Sequence, residues 1–485
     1  MSSLKVHAKT VAAAAIVTVL VLMLSLTYHF DTLLTICLMI WAAAFVVYLA
    51  NLGDNIAFFC FMISFFVFLL GRQVVYSLFE RKEVYTYLDV TNDQTYVLLI
   101  TALVFLCIGS RIGSYKVRLT EGSSRWRSFL DTSDYGRNYS TACKIMFYVC
   151  YVFSIASVTL HILYVRRVGY LASYTTQAGG AGVPTFVSYF ASFAPVALSL
   201  YLATFPSKKA SMRALILYEI YGILSVFTGQ RYPFIGISMF VLSYMFIRNR
   251  KEKGWIKKRY YAYVIIAIPL LMILFTAYDS IRQGKAFDFK STGETVITFF
   301  DQQGGSINTI RRTIYNAEQL KDMHLVSLSG TYSAVFENFI SRALFGIQTF
   351  SGNSVARAMA GHDLSARLSW IAYGNGYLSG MGTGSSYIAE LFHDFGAVGV
   401  AVGSLFYGFV LSRISRLEKG NKLLGGIALA MMYYLFLAPR GSFDAFIGGI
   451  FRIYSLFLFV VIIIMSWFLS GRIKYRSGKT KEKNA

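Results

Sequence analysis

The sequence is poor in charged residues and in cysteine, and each shortage excludes classes of protein. Only 14% of its 485 residues are charged, whereas soluble domains carry about 25%. The chain is therefore not an ordinary soluble protein. Its cysteines have neither the setting of a disulfide framework nor the spacing of metal ligands. The six histidines are scattered, so we predict no zinc site and no cofactor. The cysteines lie in or beside apolar segments and are Cys37, Cys60, Cys107, Cys143 and Cys150.

The sequence also lacks internal repeats, low-complexity stretches and the alternating apolar and polar pattern of strands. The missing alternation weighs against an outer-membrane barrel. The missing repeat weighs against transporter folds that are built from duplicated halves.

Apolar segments are what the chain has in abundance. Hydrophobic residues make up 56% of it, and its mean hydropathy is +0.53. Segments of about 20 apolar residues are long enough to cross a bilayer core, and as helices they satisfy their own backbone hydrogen bonds there. We therefore predict an all-α polytopic membrane protein with about twelve transmembrane helices. The predicted spans are 10–28, 32–50, 55–71, 95–112, 144–165, 184–204, 213–229, 233–247, 260–278, 385–412, 423–438 and 449–470.

The net charge of +22 follows the predicted topology and does not indicate a nucleic-acid partner. Cytoplasmic loops of multi-pass proteins carry an excess of lysine and arginine. We therefore predict that both termini are cytoplasmic and that the surrounding partner is the lipid bilayer. Most of the 46 lysines and arginines lie in the N-terminal residues and in short loops on one side of the predicted spans, at 111–144, 205–213, 248–260, 412–422 and 472–485.

One long polar stretch interrupts the apolar segments. The predicted order is transmembrane helices one to nine at 1–280, a large exported loop at 281–384, helices ten to twelve at 385–470 and a basic tail at 471–485. The loop is rich in arginine, yet its acids nearly balance its bases, which predicts a folded loop. Guanidinium groups suit bidentate contacts with phosphate. The loop arginines proposed as substrate ligands are Arg311, Arg312 and Arg342.

Three further arginines stand at the predicted outer membrane surface, each beside the end of a span. Arg231 lies between spans seven and eight, Arg282 follows span nine, and Arg440 lies between spans eleven and twelve. A single arginine in such a place is explained equally well as a snorkelling anchor. Three of them, on the side that the positive-inside rule disfavours, indicate that at least two bind anionic groups of a substrate.

The sharpest local pattern runs from Gly380 to Gly396 and reads GMGTGSSYIAELFHDFG. Glu390, His393 and Asp394 are spaced three and four residues apart, so they share one helix face. A helix N-terminus with a carboxylate and an imidazole can form an acid–base or phosphate site. The alternative is structural, with Glu390 binding a backbone group or pairing with a loop arginine.

This pattern, followed by an apolar span with Gly403 and Tyr407-Gly408, resembles the bacterial oligosaccharide repeat-unit polymerases, the Wzy-type O-antigen polymerases. The resemblance covers most of the chain beyond Tyr221. The sequence departs from the family at Gln230, where a small residue is expected, and this puts the role of the adjacent arginine in doubt. Weaker matches are found at residues 228–231 (TGQR), residues 330–332 (GTY) and Arg440.

The resemblance implies a metal-independent membrane glycosyltransferase of the GT-C class on the outer face of the bacterial cytoplasmic membrane. Its substrates would be oligosaccharide repeat units on undecaprenyl pyrophosphate, delivered by a flippase, with a chain-length regulator as a further partner. Arginines would stabilise the departing pyrophosphate, and Glu390 with His393 would serve the acceptor hydroxyl as base. The expected site residues are catalytic Glu390, Arg231, Arg282, Arg440 and His393, and substrate-binding Arg311, Arg312, Arg342, Tyr332 and Tyr387.

Two other functions stay open. An O-antigen ligase-like enzyme would share the fold and the lipid pyrophosphate donor but use another acceptor, and the spacing around Glu390 favours the polymerase. A lipid-linked oligosaccharide flippase or transporter would require charged or polar residues buried within its spans. Glu219 is the one clear acid in the middle of a predicted span. The other polar residues gather at the predicted outer surface, which favours an enzyme.

Overall fold

The structure is a computed structural model of the chain. It describes residues 2–115, 133–175, 182–257, 260, 266, 269–273, 275, 292–337, 339–346, 350, 352–417 and 422–482. Most of the ninth predicted span, 260–278, and the candidate Arg282 lie outside these residues. The described residues form helices and no strand, and an isolated parallel bridge joins Thr175 to Asn353.

The first half of the chain folds into long helices. Local sequence sets some of their boundaries, as at Asp31. Its carboxylate accepts hydrogen bonds from the N–H groups of Leu33 and Leu34 at 2.8 and 3.0 Å, and it thereby caps the second helix. The helices are α1 (Ser2–Thr27), α2 (Thr32–Ala50), α3 (Leu52–Phe65, continued by a π-helical turn at Phe66–Leu70), α4 (Gly71–Leu78), α5 (Asn92–Ser114, preceded by a 3₁₀ turn at Thr86–Thr91), α6 (Ser133–Val168, followed by a 3₁₀ turn at Leu171–Tyr174), α7 (Thr185–Ala203), α8 (Lys208–Val226) and α9 (Tyr232–Lys251).

The long polar stretch is built of short helices, which we call the loop helices. The prediction that this stretch is folded is confirmed for its described residues, whereas its export stays a prediction. The loop helices are α10 (Thr292–Gln303), α11 (Ser306–Tyr315), α12 (Ala317–Leu320), α13 (Ser329–Val335, preceded by a 3₁₀ turn at Val326–Leu328), α14 (Phe339–Phe345), α15 (Val355–Met359), α16 (Leu364–Tyr373) and α17 (Asn375–Leu378).

The chain then returns to long apolar helices. The first of them is interrupted at Gly396, whose φ of 62° and ψ of −156° are open to glycine and to few other residues. These helices are α18 (Tyr387–Ser415), α19 (Lys422–Leu437, followed by a 3₁₀ turn at Ala438–Arg440), α20 (Ala445–Ile450) and α21 (Ile453–Glu482).

Eight helical stretches in the described part of the chain are long and apolar enough to cross a membrane by length and composition. This finding confirms the prediction of an all-α polytopic membrane protein. Helices α8 and α9, and the apolar part of α21 at Ser455–Ser470, coincide with three further predicted spans. The total of about twelve spans and the GT-C class stay predictions.

Helices α5 and α18 pack along each other, and glycines permit their close approach. A Cβ atom added at Gly109 would lie 2.0 Å from the carbonyl oxygen of Leu405, and one added at Gly408 would lie 2.0 Å from that of Leu106. Small residues of this kind let membrane helices approach backbone to backbone. The contact with α5 therefore fixes the position of α18, whose first turn carries Glu390.

Ion pairs of two buried arginines attach the loop helices to α4 and to the segment that follows it. Arg72 Nη2 lies 3.3 Å from Glu83 Oε2 and 3.2 Å from Asp301 Oδ1 of α10. Arg311 of α11 is fully buried, with Nη2 at 2.6 Å from Asp89 Oδ1 and Nη1 at 3.4 Å from Glu83 Oε1. The guanidinium group of Arg311, a predicted substrate ligand, is therefore held by two carboxylates of the protein itself.

Candidate active site

Two of the three arginines predicted at span ends line the same cavity, which we call the arginine cavity. Arg231 immediately precedes α9, and Arg440 ends the 3₁₀ turn after α19. The cavity has a volume of about 1070 Å³, and tyrosines from several segments, including Tyr174, Tyr373 and Tyr377, also line it. Residues that are far apart in the sequence thus bring positive charge and aromatic surface together.

Neighbouring glutamines at the end of α10 contact both arginines. Arg231 Nη1 donates to Gln302 Oε1 at 3.0 Å and to the carbonyl oxygen of Phe275 at 2.6 Å. Arg440 Nη1 donates to Gln303 Oε1 at 3.2 Å. Because adjacent residues of one loop helix hold both guanidinium groups, the two arginines are oriented relative to each other. Guanidinium groups so arranged can bind the oxygens of a diphosphate in a fork.

A second cavity, which we call the groove, adjoins the arginine cavity. It has a volume of about 830 Å³, and Arg440 and Tyr232 line both spaces. The groove extends between long helices, where Ser192 and Pro195 of α7 and Tyr218 of α8 line it. A charged site and an opening between candidate membrane helices therefore meet at Arg440.

An ion pair of the loop helices lines both cavities. Arg357 donates from Nε and Nη2 to Asp363 Oδ2 at 2.9 and 2.7 Å. Burial lowers the pKa of the Arg357 guanidinium, but the nearby Asp363 carboxylate more than offsets this and raises the pKa above its ordinary value. The pair joins α15 to the residue that caps α16, because Asp363 Oδ1 also accepts a hydrogen bond from the N–H of Ala366 at 3.0 Å.

Tyr332, a predicted substrate-binding residue, lines the groove and stacks on His362. Their ring centroids are 4.1 Å apart and the ring planes are inclined by 23°. Aromatic rings beside polar groups suit contact with the apolar face of a sugar. The sequence pattern predicts a role for Tyr332, and it predicts none for His362, Arg357 or Asp363. Arg357, His362 and Asp363 lie close together in the chain, and this spacing is a local signal from which they could be predicted.

Glu390 is buried behind the cavity wall. It lies in the first turn of α18 and is 1% exposed. Its Oε1 accepts a hydrogen bond from Ser385 Oγ at 2.6 Å, and its Oε2 accepts one from the backbone N–H of Phe443 at 2.8 Å. Ser385 lines the groove. The carboxylate thus joins the glycine-rich entry of α18 to the segment that carries Arg440. These contacts are the ones expected if Glu390 has a structural role, with its carboxylate bound to a backbone group.

His393 is separated from the arginine cavity. Its Nε2 lies 3.0 Å from the carbonyl oxygen of Leu320, and its Nδ1 lies 3.0 Å from Asp394 Oδ1. Asp394 accepts hydrogen bonds from the N–H groups of Val326 and Ser327 at 3.1 and 2.8 Å. His393 and Asp394 line a different cavity, of about 470 Å³. They anchor this part of the loop to α18, and proton transfer by His393 stays a prediction.

Asp444, for which the sequence predicts no role, holds the helix that carries Tyr332. Its Oδ1 accepts a hydrogen bond from the N–H of Gly330 at 2.8 Å, and its Oδ2 accepts one from the N–H of Thr331 at 2.6 Å. A Cβ atom at Gly330 would lie 2.7 Å from the carbonyl oxygen of Asp444, so this approach requires glycine. Burial raises the pKa of the Asp444 carboxyl, against the opposing effect of these hydrogen bonds.

The family model of the O-antigen polysaccharide polymerase Wzy matches residues 10–472. The chain belongs to this family. Membership confirms the resemblance that the Glu390 pattern carries, and it makes the chain a multi-pass membrane polymerase of O-antigen repeat units. Comparisons with curated proteins and with solved structures give no match.

The remaining predicted ligands of this polymerase lie in other surroundings. Arg312, 4% exposed, lines a cavity distinct from the arginine cavity, the groove and the cavity of His393. Tyr387 is fully buried, with its ring 5.0 Å from that of Tyr407 and its hydroxyl 3.3 Å from Ser404 Oγ. This position indicates a packing role, and substrate contact by Tyr387 stays a prediction. Two further candidates have side chains outside the described part of the structure, and they are Arg282 and Arg342.

The described residues contain no group of three or more histidine, cysteine, aspartate or glutamate side chains that could hold a metal ion. Independence of a metal stays a prediction for this polymerase.

Proposed function

We propose that the protein joins oligosaccharide repeat units carried on undecaprenyl diphosphate, by moving the growing chain from its lipid diphosphate to the non-reducing end of the next unit. The bond between the anomeric carbon and the diphosphate oxygen breaks, and its electron pair leaves with the diphosphate. A new bond forms from that carbon to the acceptor oxygen, whose proton passes to a base or to water. The observation that carries the proposal is the meeting of Arg231 and Arg440 in one cavity.

The two arginines would stabilise the leaving group. The departing diphosphate gains negative charge as the bond breaks, and preorganised positive charge aimed at such a group is often the largest catalytic contribution. The hydrogen bonds to Gln302 and Gln303 support this role, because they orient both guanidinium groups before substrate binds. We infer that guanidinium groups, and no metal ion, supply the stabilising charge.

The groove supports a lipid-borne donor. It runs from Arg440 to surfaces of α7 and α8 between the long helices. A lipid whose diphosphate contacts Arg440 can extend its prenyl chain along these helices, while its sugars meet the stacked Tyr332 and His362 on the side of the loop helices.

Proton transfer from the acceptor hydroxyl involves groups that face the two cavities. Among the described residues, the carboxylates that line them are those of Asp363 and Glu337. Glu390 lies one side chain behind this surface, in contact with Ser385. We infer that Glu390 positions Ser385 and the segment that carries Arg440, and that it affects the acceptor through them.

We propose that the reaction takes place on the outer face of the bacterial cytoplasmic membrane, with both termini in the cytoplasm. The basic loops and tail support this orientation through the positive-inside rule. A flippase that delivers lipid-linked units and a chain-length regulator are the expected protein partners.

The decisive experiment is an assay of the purified protein in lipid nanodiscs with one lipid-linked repeat unit. We expect lipid-linked products of two and more repeat units and the release of free lipid diphosphate. If the release of lipid diphosphate requires a separate lipid A core or protein acceptor, the protein is a ligase instead. In vesicles, movement of the substrate between leaflets without bond formation would indicate a flippase.

A further inference from the structure

Helix α16 separates the arginine cavity from another cavity, which we call the distal cavity. Ser365, Ser369 and Tyr373 of α16 line the arginine cavity. Arg367 and Trp370 of the same helix line the distal cavity, which has a volume of about 790 Å³. One helix therefore presents different residues to two spaces, and the proposed function uses only the first.

Arg312 gives the distal cavity a buried positive charge. The side chain lies with its guanidinium carbon 4.6 Å from the ring centroid of Tyr85 and 5.4 Å from that of Tyr373. It is 4% exposed, and its Nε has no hydrogen-bond partner. Burial lowers the pKa of this guanidinium, but the hydroxyl groups of Tyr373 and Tyr87 more than offset the effect and raise the pKa. Arg312 is therefore a charged group.

Neighbouring arginines are neutralised by carboxylates, and Arg312 is not. Arg311 pairs with Asp89 at 2.6 Å, and Arg367 of the distal cavity pairs with Asp322 at 2.9 Å. Among the ion pairs of the described residues, none includes Arg312. Tyrosine hydroxyls and rings contact the guanidinium group of Arg312, but they carry no negative charge. An anionic group that enters the cavity would therefore add the charge–charge attraction that the protein itself does not supply.

The other walls of the distal cavity suit a sugar. The rings of Trp370 and Tyr87 offer flat surface, and the amide side chains of Asn316 and Gln319 offer both donors and acceptors. Aromatic faces pack on the C–H faces of sugars. Amide side chains can donate a hydrogen bond to a hydroxyl group or accept one from it. With Arg312, these groups match a saccharide that carries a carboxylate.

We propose that the distal cavity is a second saccharide-binding site, which takes an acidic sugar of the polymer through the guanidinium group of Arg312. The identity of its ligand rests on the proposed function, because the polymer supplies the saccharide. The site lies across α16 from the arginine cavity, so it would hold a part of the chain away from the bond that is being formed. Occupancy there would keep a growing chain on the enzyme between transfers.

The test measures binding of small saccharides to the full chain in nanodiscs by titration calorimetry. The probes are trigalacturonic acid and its neutral counterpart, galactotriose. Both are titrated in an Arg440→Gln background, so that binding of the acid in the arginine cavity is weakened. We expect the acidic trisaccharide to bind at least about tenfold more tightly than the neutral one, as expected for a hydrogen-bonded charge pair.

Two substitutions locate that binding. Arg312→Gln should lower the affinity for the acidic trisaccharide about tenfold or more and remove its advantage over the neutral one. Gln319→Trp obstructs the cavity from an exposed position, so it decides the matter if Arg312→Gln fails to fold. Glu318→Trp is its control, because Glu318 is exposed on the same short helix but does not line the cavity. Removing the negative charge of Glu318 cannot by itself weaken the binding of an anion.

Equal affinities for the two trisaccharides would overturn the proposal, as would unchanged acidic binding in both Arg312→Gln and Gln319→Trp. Equal losses in Gln319→Trp and Glu318→Trp would also overturn it. The polymerisation assay is separate from these measurements. If the protein binds the acidic trisaccharide selectively but forms no polymer, the saccharide site is supported and the proposed function is rejected. If it forms polymer without such binding, the proposed function is supported and the saccharide site is rejected.

Discussion

Arg231 and Arg440 are the side chains on which the proposed chemistry depends most directly. We expect Arg231→Lys and Arg440→Lys each to lower the rate of polymerisation by about 10²-fold, the usual effect of removing one preorganised donor from a transition state. Lysine keeps the charge but cannot bind two phosphate oxygens in a fork. The measurement is the initial rate at which one lipid-linked unit is converted into dimer.

Arg81→Lys is the matched control for these two substitutions. Arg81 forms an ion pair with Glu294, and both side chains are roughly half exposed at 48% and 45%. Exposed pairs of this kind contribute little to stability, so the control should retain the full rate. A normal rate in Arg231→Lys and Arg440→Lys would remove the leaving-group role, and an equal loss in all three variants would mean that the effect is not specific to the cavity.

Glu390 distinguishes positioning from proton transfer. We expect Glu390→Gln to lower the rate only severalfold, because glutamine keeps the shape and one acceptor oxygen for the contacts with Ser385 and Phe443. Glu390→Ala should lower it further, since it leaves both donors without this partner. A general base contributes about 10²–10⁴-fold. A loss of that size in Glu390→Gln, together with a shifted pH–rate profile, would show that Glu390 is the base.

The sequence predicted which arginines stand at span ends, but it could not predict what each contacts. Arg231 and Arg440 stand in short segments beside apolar spans, which is a local signal, and the structure brings them to one cavity. Arg311 has the same local character, yet its partner Asp89 is 222 residues away in the chain. The burial of Glu390 likewise depends on the docking of Phe443. Pairings of this kind come from tertiary packing, which local composition does not record.

At the scale of elements, α18 organises the site because its first turns anchor two separate segments. Glu390 binds the segment after α19. His393 binds the last residue of α12, and Asp394 binds the 3₁₀ turn before α13. The spacing of the three residues correctly indicated a charged face at the start of a helix. It left open whether Glu390 binds a backbone group, and it could not identify which backbone groups occupy this face, because the N–H and C=O groups of a loop leave no pattern in the sequence.

The crossing of α5 and α18 supports that anchor, and it makes Gly408 a sensitive position. We expect Gly408→Ala to lower the free energy of unfolding by about 1–3 kcal/mol, the typical cost of overpacking, because the new methyl group would meet the backbone of Leu106. Unfolding in detergent, followed by helical circular dichroism, measures this change. Gly53→Ala of α3 is the control, because nothing lies within 4 Å of its added methyl group. Equal stabilities of the two variants would contradict the close crossing.

At the scale of the whole molecule, hydropathy predicted the long helices well and the loop helices poorly. The predicted spans 184–204 and 423–438 match α7 and α19 within a few residues. A membrane span needs only length and apolar composition, so its signal is contained in its own residues. The loop helices are short, and isolated helices of that length are marginal in water. They form because buried groups such as Arg72 and Arg311 attach them to the bundle.

The orientation of the whole molecule decides whether the arginine cavity opens where the lipid-linked units would be delivered. Cysteine labelling tests it with little background, because four of the native cysteines are buried and Cys107 is partly buried. We expect Glu318→Cys in the loop helices to react with a membrane-impermeant maleimide in intact spheroplasts. Lys209→Cys, in the exposed basic first turn of α8, should react only after permeabilisation, since basic segments beside spans stay in the cytoplasm. The reverse pattern would put the cavity on the cytoplasmic side and exclude polymerisation at the outer face.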